Sequence, residues 1–324
     1  RCNNIQMAKK ISLNSAYGAI GNQYFRYYKL ANAEAITLSG QVSIRWIEQK
    51  MNQYLNKKFS NDEFLNLSKV YRSNEPYPHI VIDNFLDEKK LDSVTKKIDQ
   101  IEIFENNKRF DPNQKRKLKS DNELEMPDEV IDIIRYFNSQ TFLNSLQSLT
   151  GIKEKLLSDP YLWGGGIHRI KRGGFLKIHS DTNFHPDFNL DRRLNLLLYL
   201  NKNWSNEYGG ELELWDKQMK KCVKKIAPLF NRAVIFSTDD TSYHGHPDPL
   251  NCPENVVRQS LALYYYSHGR SDVKTDFGKG TYFKKRSSNF GDLVVVFKNF
   301  FEALMPPILL KFIYKYIFRY IKRS

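Results

Sequence analysis

Between Leu162 and Ser267 the chain runs in short apolar and aromatic segments, Leu194 to Leu200, Leu212 to Trp215, Ala233 to Phe236 and Ser260 to Tyr266, separated by turns rich in Gly, Asn and Pro. This spacing predicts antiparallel strands in a sandwich or barrel. Upstream, Pro76 and Pro78 lead into His79-Ile-Val-Ile82, which reads as a strand entered from a turn. Asp87 can cap a helix over 88–100 by accepting a first-turn amide hydrogen. Pro127 opens a second helical pattern with Val130, Ile133, Ile134 and Phe137 as its apolar stripe, and a third short helix should stop before Gly151. Lys108 to Ser120 is strongly basic without periodicity and reads as a solvated loop. Helices first and strands afterwards imply an α+β fold, a sheet core supported by helices.

The two ends differ in character. Residues 1–58 form a polar, helix-favouring run broken by Gly18 and Gly21, and 59–75 reads as a linker to a domain over 76–286. In the tail, 287–324, Pro306-Pro307 interrupts any continuous helix, and the charged residues within Ile308 to Ile321 argue against a membrane-spanning segment. A basic amphipathic helix resting on a membrane surface and a terminal helix docked on its own domain are both compatible with that pattern.

Composition narrows the partners. A 324-residue chain with 41% hydrophobic residues can bury a real core, which excludes disordered, collagen-like and disulfide-scaffold classes. The formal net charge of +14 favours a polyanion, nucleic acid included, or an anionic surface. Cys2, Cys222 and Cys252 have neither metal-site nor disulfide spacing, which fits a reducing, cytoplasmic compartment. The chain opens on Arg1 with no signal-peptide order, so it is either processed or a piece of a longer reading frame.

The most informative residues are His179 and Asp181 in Phe175-Leu-Lys-Ile-His-Ser-Asp181, with His244 further on. Two residues apart on a strand, His179 and Asp181 point to one side, so a distant histidine can complete a site with them. Two imidazoles and a carboxylate form a facial triad for iron(II) with open positions for ligands; zinc competes for the same donors. His246 is a second candidate for the distal ligand, although Gly245 beside His244 allows the backbone a close approach. Arg258, at the start of an apolar strand, can pair its fork with the far carboxylate of a dicarboxylate chelating the metal. Tyr199 is a candidate hydroxyl donor to that ligand. His168 and His185 read as structural or substrate-side residues, and Phe184, His185 and the stretch Asp187 to Arg193 are expected beside the entrance.

Residues from about 76 to 286 resemble the iron(II) and 2-oxoglutarate-dependent dioxygenases of the prolyl 4-hydroxylase type, through Pro78-His-Ile-Val-Ile-Asp-Asn-Phe85, Lys177-Ile-His-Ser-Asp181, Gly209-Gly-Glu-Leu-Glu-Leu-Trp215 and His244-Gly-His-Pro-Asp-Pro-Leu250. The resemblance implies a double-stranded β-helix (jelly roll) with supporting helices. It assigns Fe(2+) to His179, Asp181 and His244, and the distal carboxylate of 2-oxoglutarate to Arg258. It further implies dioxygen as co-substrate and L-ascorbate as an auxiliary ligand. Oxidative decarboxylation to succinate and carbon dioxide would be coupled to hydroxylation of a peptide or small-molecule substrate, prolyl residues among them.

Lys10-Ile-Ser-Leu-Asn-Ser-Ala-Tyr-Gly18 resembles the nucleotide-binding motif on the fingers helix of family B DNA polymerases, and Asn22 to Leu55 resembles the palm-region pattern of phage members. That resemblance gives Lys10 a triphosphate contact, Asn14 the helix asparagine position and Tyr17 a place near the nascent base pair. The family's metal-binding aspartate motifs are missing, so no polymerase activity is expected. The alternative to an oxygenase is then a nucleotide- or DNA-binding polymerase fragment fused to an inactive oxygenase-like domain.

Overall fold

The computed structural model describes residues 61–100, 113–122, 126–185, 187–273, 281–284 and 286. The polymerase-like stretch with Lys10, Asn14 and Tyr17, and the tail beyond 286, lie outside them.

Among the described residues, four helices precede the main strands. Helix α1 spans Asn61–Ser73, α2 Glu88–Asp99, α3 Asp128–Phe137 and α4 Gln140–Thr150. The Asp87 cap is present, its Oδ1 accepting from the Lys90 amide at 3.0 Å. Helix α3 buries Val130, Ile133, Ile134 and Phe137, and α4 ends at Gly151 in a left-handed conformation. Helix α1 replaces most of the expected linker. Phe64, Ser68 and Tyr71, at i, i+4 and i+7, are buried on one face, and α1 packs on α4 and on the first strand.

The strands are β1 His79–Asp83, β2 Gln114–Ser120, β3 Leu157–Ser158, β4 Gly166–Ser180, β5 Asp191–Tyr199, β6 Leu212–Trp215, β7 Cys222–Ile226, β8 Arg232–Ser237, β9 His244–His246, β10 Arg258–Ser267 and β11 Tyr282–Phe283. Their order is β1-β8-β5-β10-β4-β9-β6-β7, with β3 on β10 and both β2 and β11 on β4. Every ladder is antiparallel, and the sheet curls into a jelly-roll half-barrel backed by the helices. Strand β4 organises the curl: its first half pairs with β10 over Gly166–Ile170, its second with β9 over Leu176–His179.

Strand β2 corrects the reading of Lys108 to Ser120 as a loop. Residues 114–120 pair with β4 from Ile167 to Leu176, burying Leu118 and Ser120 while Lys115 stays exposed. The strand state comes from the partner's hydrogen bonds, which local propensity does not encode. An aromatic cluster joins helices to sheet: Phe142 meets Phe64, Phe137 and Tyr136 on the helical side and Tyr265 of β10 on the other. Among the described residues no helix is long and apolar enough to cross a membrane.

Candidate metal and co-substrate site

The curl brings the three expected ligands together. His179 lies near the end of β4, directly opposite His244 at the start of β9, and Asp181 follows β4. The ligand atoms of His179, Asp181 and His244 all lie within 4.8 Å of one another. Gly245 matters here, because a Cβ at that position would stand 2.8 Å from the carbonyl oxygens of Leu176 and Lys177. Only glycine lets β9 approach β4 this closely.

Hydrogen bonds fix both imidazole tautomers. His179 Nδ1 donates to the Lys177 carbonyl at 2.8 Å, and His244 Nδ1 donates to the Ser242 carbonyl at 2.9 Å. Carbonyl oxygens only accept, so each ring keeps its proton on Nδ1 and turns an Nε2 lone pair inward. Those Nε2 atoms stand 3.5 Å and 3.4 Å from the Asp181 carboxylate oxygens. Three proton-free donors facing one another repel unless a cation sits among them, so the residues fit a metal ion. Burial pushes the His244 imidazole down to about 4, against the opposing pull of Asp181, which keeps it neutral and able to ligate. Burial alone would raise the Asp181 carboxyl, but the Arg192 guanidinium beside it outweighs burial and holds the group well below the ordinary carboxylate range.

Arg258 opens onto the same cavity, of about 330 Å³. Its Nε donates to the Gly210 carbonyl at 2.7 Å and its Nη2 to the Tyr199 hydroxyl at 3.3 Å. Among the described residues no carboxylate pairs with this buried guanidinium. An unneutralised cation beside a metal site is suited to an anionic ligand. Tyr199 stands one layer behind the expected place: it is fully buried among Tyr77, Leu212, Leu214 and Phe236, outside the cavity lining, and touches Arg258.

The other histidines are sorted by the fold. His246 lines the cavity opposite Leu176 but lies outside the ligand cluster, which decides the distal position for His244. His168 lines the cavity with Nε2 3.0 Å from the Gly164 carbonyl. His185 is not an entrance residue: its ring is buried against Trp163, Phe188 and Tyr266, outside the cavity lining, with Nε2 3.5 Å from Asp159. Phe184 bridges to Asp191, and the end of the expected entrance stretch is the start of β5.

Two residues escaped the sequence reading. Arg192 and Asn195 both reach the Asp181 carboxylate. The available signal was Asn195 itself, a polar residue inside the apolar run Leu194 to Leu200.

Residues 165–266 match the 2OG-Fe(II) oxygenase superfamily. Mouse prolyl 3-hydroxylase OGFOD1 is 31% identical over 97 residues, covering 29% of this chain and 17% of that protein. The DNA-directed DNA polymerase of Enterobacteria phage T4 is 33% identical over 176 residues, covering 54% of this chain and 17% of the polymerase. The chain thus spans under a fifth of the length of either relative. A prolyl hydroxylase from Trichoplax adhaerens, in complex with a hypoxia inducible factor peptide fragment, aligns with TM-score 0.46 at 19% identity over 64% of this chain and 90% of its own. The chain therefore presents a 2OG-Fe(II) oxygenase-like fold built around a His-Asp-His metal-binding triad.

Proposed function

We propose that this chain is an Fe(II)- and 2-oxoglutarate-dependent hydroxylase. It couples oxidative decarboxylation of 2-oxoglutarate to hydroxylation of a peptide or small molecule, with a prolyl residue the first substrate to try. The carrying observation is the convergence, in one cavity, of three metal-type donors and a buried arginine that has no carboxylate partner among the described residues. When bound, ferrous iron supplies dioxygen activation and coordination sites for the 2-oxo acid.

The protein's own groups do the rest. Arg258, aimed by Gly210 and Tyr199, takes the distal carboxylate and sets the co-substrate's direction. Leu197, Leu212 and Phe283 give the cavity apolar walls that keep water from the reacting carbon. His179 and His244, each with Nδ1 donating to a backbone carbonyl, would turn their Nε2 lone pairs toward the ion. The family resemblance adds L-ascorbate as an auxiliary ligand. The prolyl choice is supported by the named activity of the mouse relative.

The polymerase-like segment is read as a remnant without phosphoryl-transfer carboxylates. The intact triad favours an active oxygenase over an inactive domain fused to a nucleotide-binding fragment. Iron-loaded full chain incubated with 2-oxoglutarate and air should form succinate, and His179→Ala or Asp181→Ala should reduce this to background. Undiminished succinate in either variant, or primer extension by the purified chain, would overturn the reading.

A further inference from the structure

Asp181 is held by more than its place after β4. Arg192 Nη2 donates to Asp181 Oδ2 at 3.0 Å, and Asn195 Nδ2 donates to the same oxygen at 2.7 Å. The two donors are also tied to each other: Arg192 Nε and Nη2 donate to Asn195 Oδ1 at 3.0 Å and 2.8 Å. This arrangement orients the amide, its oxygen toward the guanidinium and its nitrogen toward the carboxylate. Both residues come from β5 and are buried, and the Arg192 guanidinium lies 3.5 Å from the centre of the Tyr264 ring. The Tyr264 hydroxyl in turn donates to the Gly164 carbonyl at 3.2 Å. The clamp is thus braced from the adjacent strand β10 as well as from its own.

A carboxylate oxygen offers two lone-pair positions, and the two donors occupy both on Oδ2. Among the described residues no N–H or O–H donates to Oδ1, since His179 turns a lone pair toward it. We propose that Arg192 and Asn195 are positioning residues of the metal centre, which saturate one oxygen of Asp181 and present the other to the ion. The proposal rests on the metal reading above. A role limited to neutralising a buried carboxylate would change the stability of the metal-free protein and leave the ion's electronic environment alone.

Cobalt(II) added to the metal-free full chain separates these cases, with affinity and the visible ligand-field spectrum as readouts. Asn195→Val removes the donor while keeping a strand-favouring shape. Loss of a hydrogen bond to a ligating carboxylate typically weakens binding about 10- to 100-fold. Asn195→Val should show that loss with a shifted spectrum. Arg192→Lys, which keeps the charge but not the fork, should also weaken binding and shift the spectrum. It decides the matter if the valine variant does not fold. Wild-type affinity and spectrum in the folded variants would overturn the proposal. A wild-type chain that bound no cobalt(II) would instead overturn the metal reading itself.

Discussion

Gly210→Ala tests whether Arg258 is aimed by the backbone behind it. Gly210 has φ +73°, so any side chain there incurs the left-handed penalty of about 1–2 kcal/mol. The added Cβ would also run into Leu250 Cδ2 and lie 3.0 Å from Arg258 Cδ and 3.3 Å from its Nε. The tip of Leu250 can swing aside, whereas Arg258 is tied at both ends, to the Gly210 carbonyl and to the Tyr199 hydroxyl. Moving it stretches a charged hydrogen bond of the kind that contributes about 1.5–3 kcal/mol. The expected stability loss is about 2–4 kcal/mol in denaturant unfolding, once partial relaxation is allowed for. The tilted guanidinium should raise the KM for 2-oxoglutarate about tenfold, equivalent to about 1.4 kcal/mol. Metal affinity should be unchanged, because the triad lies on other strands. An alanine variant less than about 1 kcal/mol destabilised, with the parental KM, would refute the reasoning.

Glu154 accepts from the Ser271 amide and from Arg193 Nη1, each at 2.8 Å, and these bonds pull its carboxyl from the ordinary 4.5 down to about 2. Its stabilising effect is therefore complete above about pH 4.5 and lost as pH falls through about 2. Glu154→Gln should lower the unfolding midpoint at pH 7 and flatten its fall between pH 5 and 2; a parental acid slope would count against the assignment. Phe142 is fully buried among five aromatic rings, so Phe142→Ala should cost about 3–5 kcal/mol in urea unfolding. A loss under about 1.5 kcal/mol would mean that the cluster collapses readily around the gap.

Two of the three triad members were legible because extended geometry turns the interval between His179 and Asp181 into a shared face, although β4 itself ends at Ser180, whereas the choice of His244 over His246 leaned on the family resemblance. Helices α2, α3 and α4 were legible for the same reason, through Asp87, Pro127 and Gly151 at their ends. What failed depended on distant partners. The lysines of β2 hide a strand whose hydrogen bonds come from β4, and α1 shows its buried face only once α4 is beside it. His185 was expected beside the entrance because it follows the metal strand, yet Trp163 and Tyr266 close over its ring. Arg192 was invisible as a buried residue, since arginine is ordinarily a surface side chain and its burial follows from the carboxylate it meets.

Strand β11 has a bearing on how the protein can be shortened. Tyr282 and Phe283 pair with Ser180 and His179, and the Phe283 ring lies 5.3 Å from the His179 ring. One wall of the ion's chamber thus arrives more than a hundred positions after the histidine it shelters. A recombinant version ending at Val273 would keep every ligand, the arginine and the Ser271 amide that holds Glu154, yet leave His179 wet on one flank. Loss of activity in such a truncation would report a missing screen and not a missing ligand.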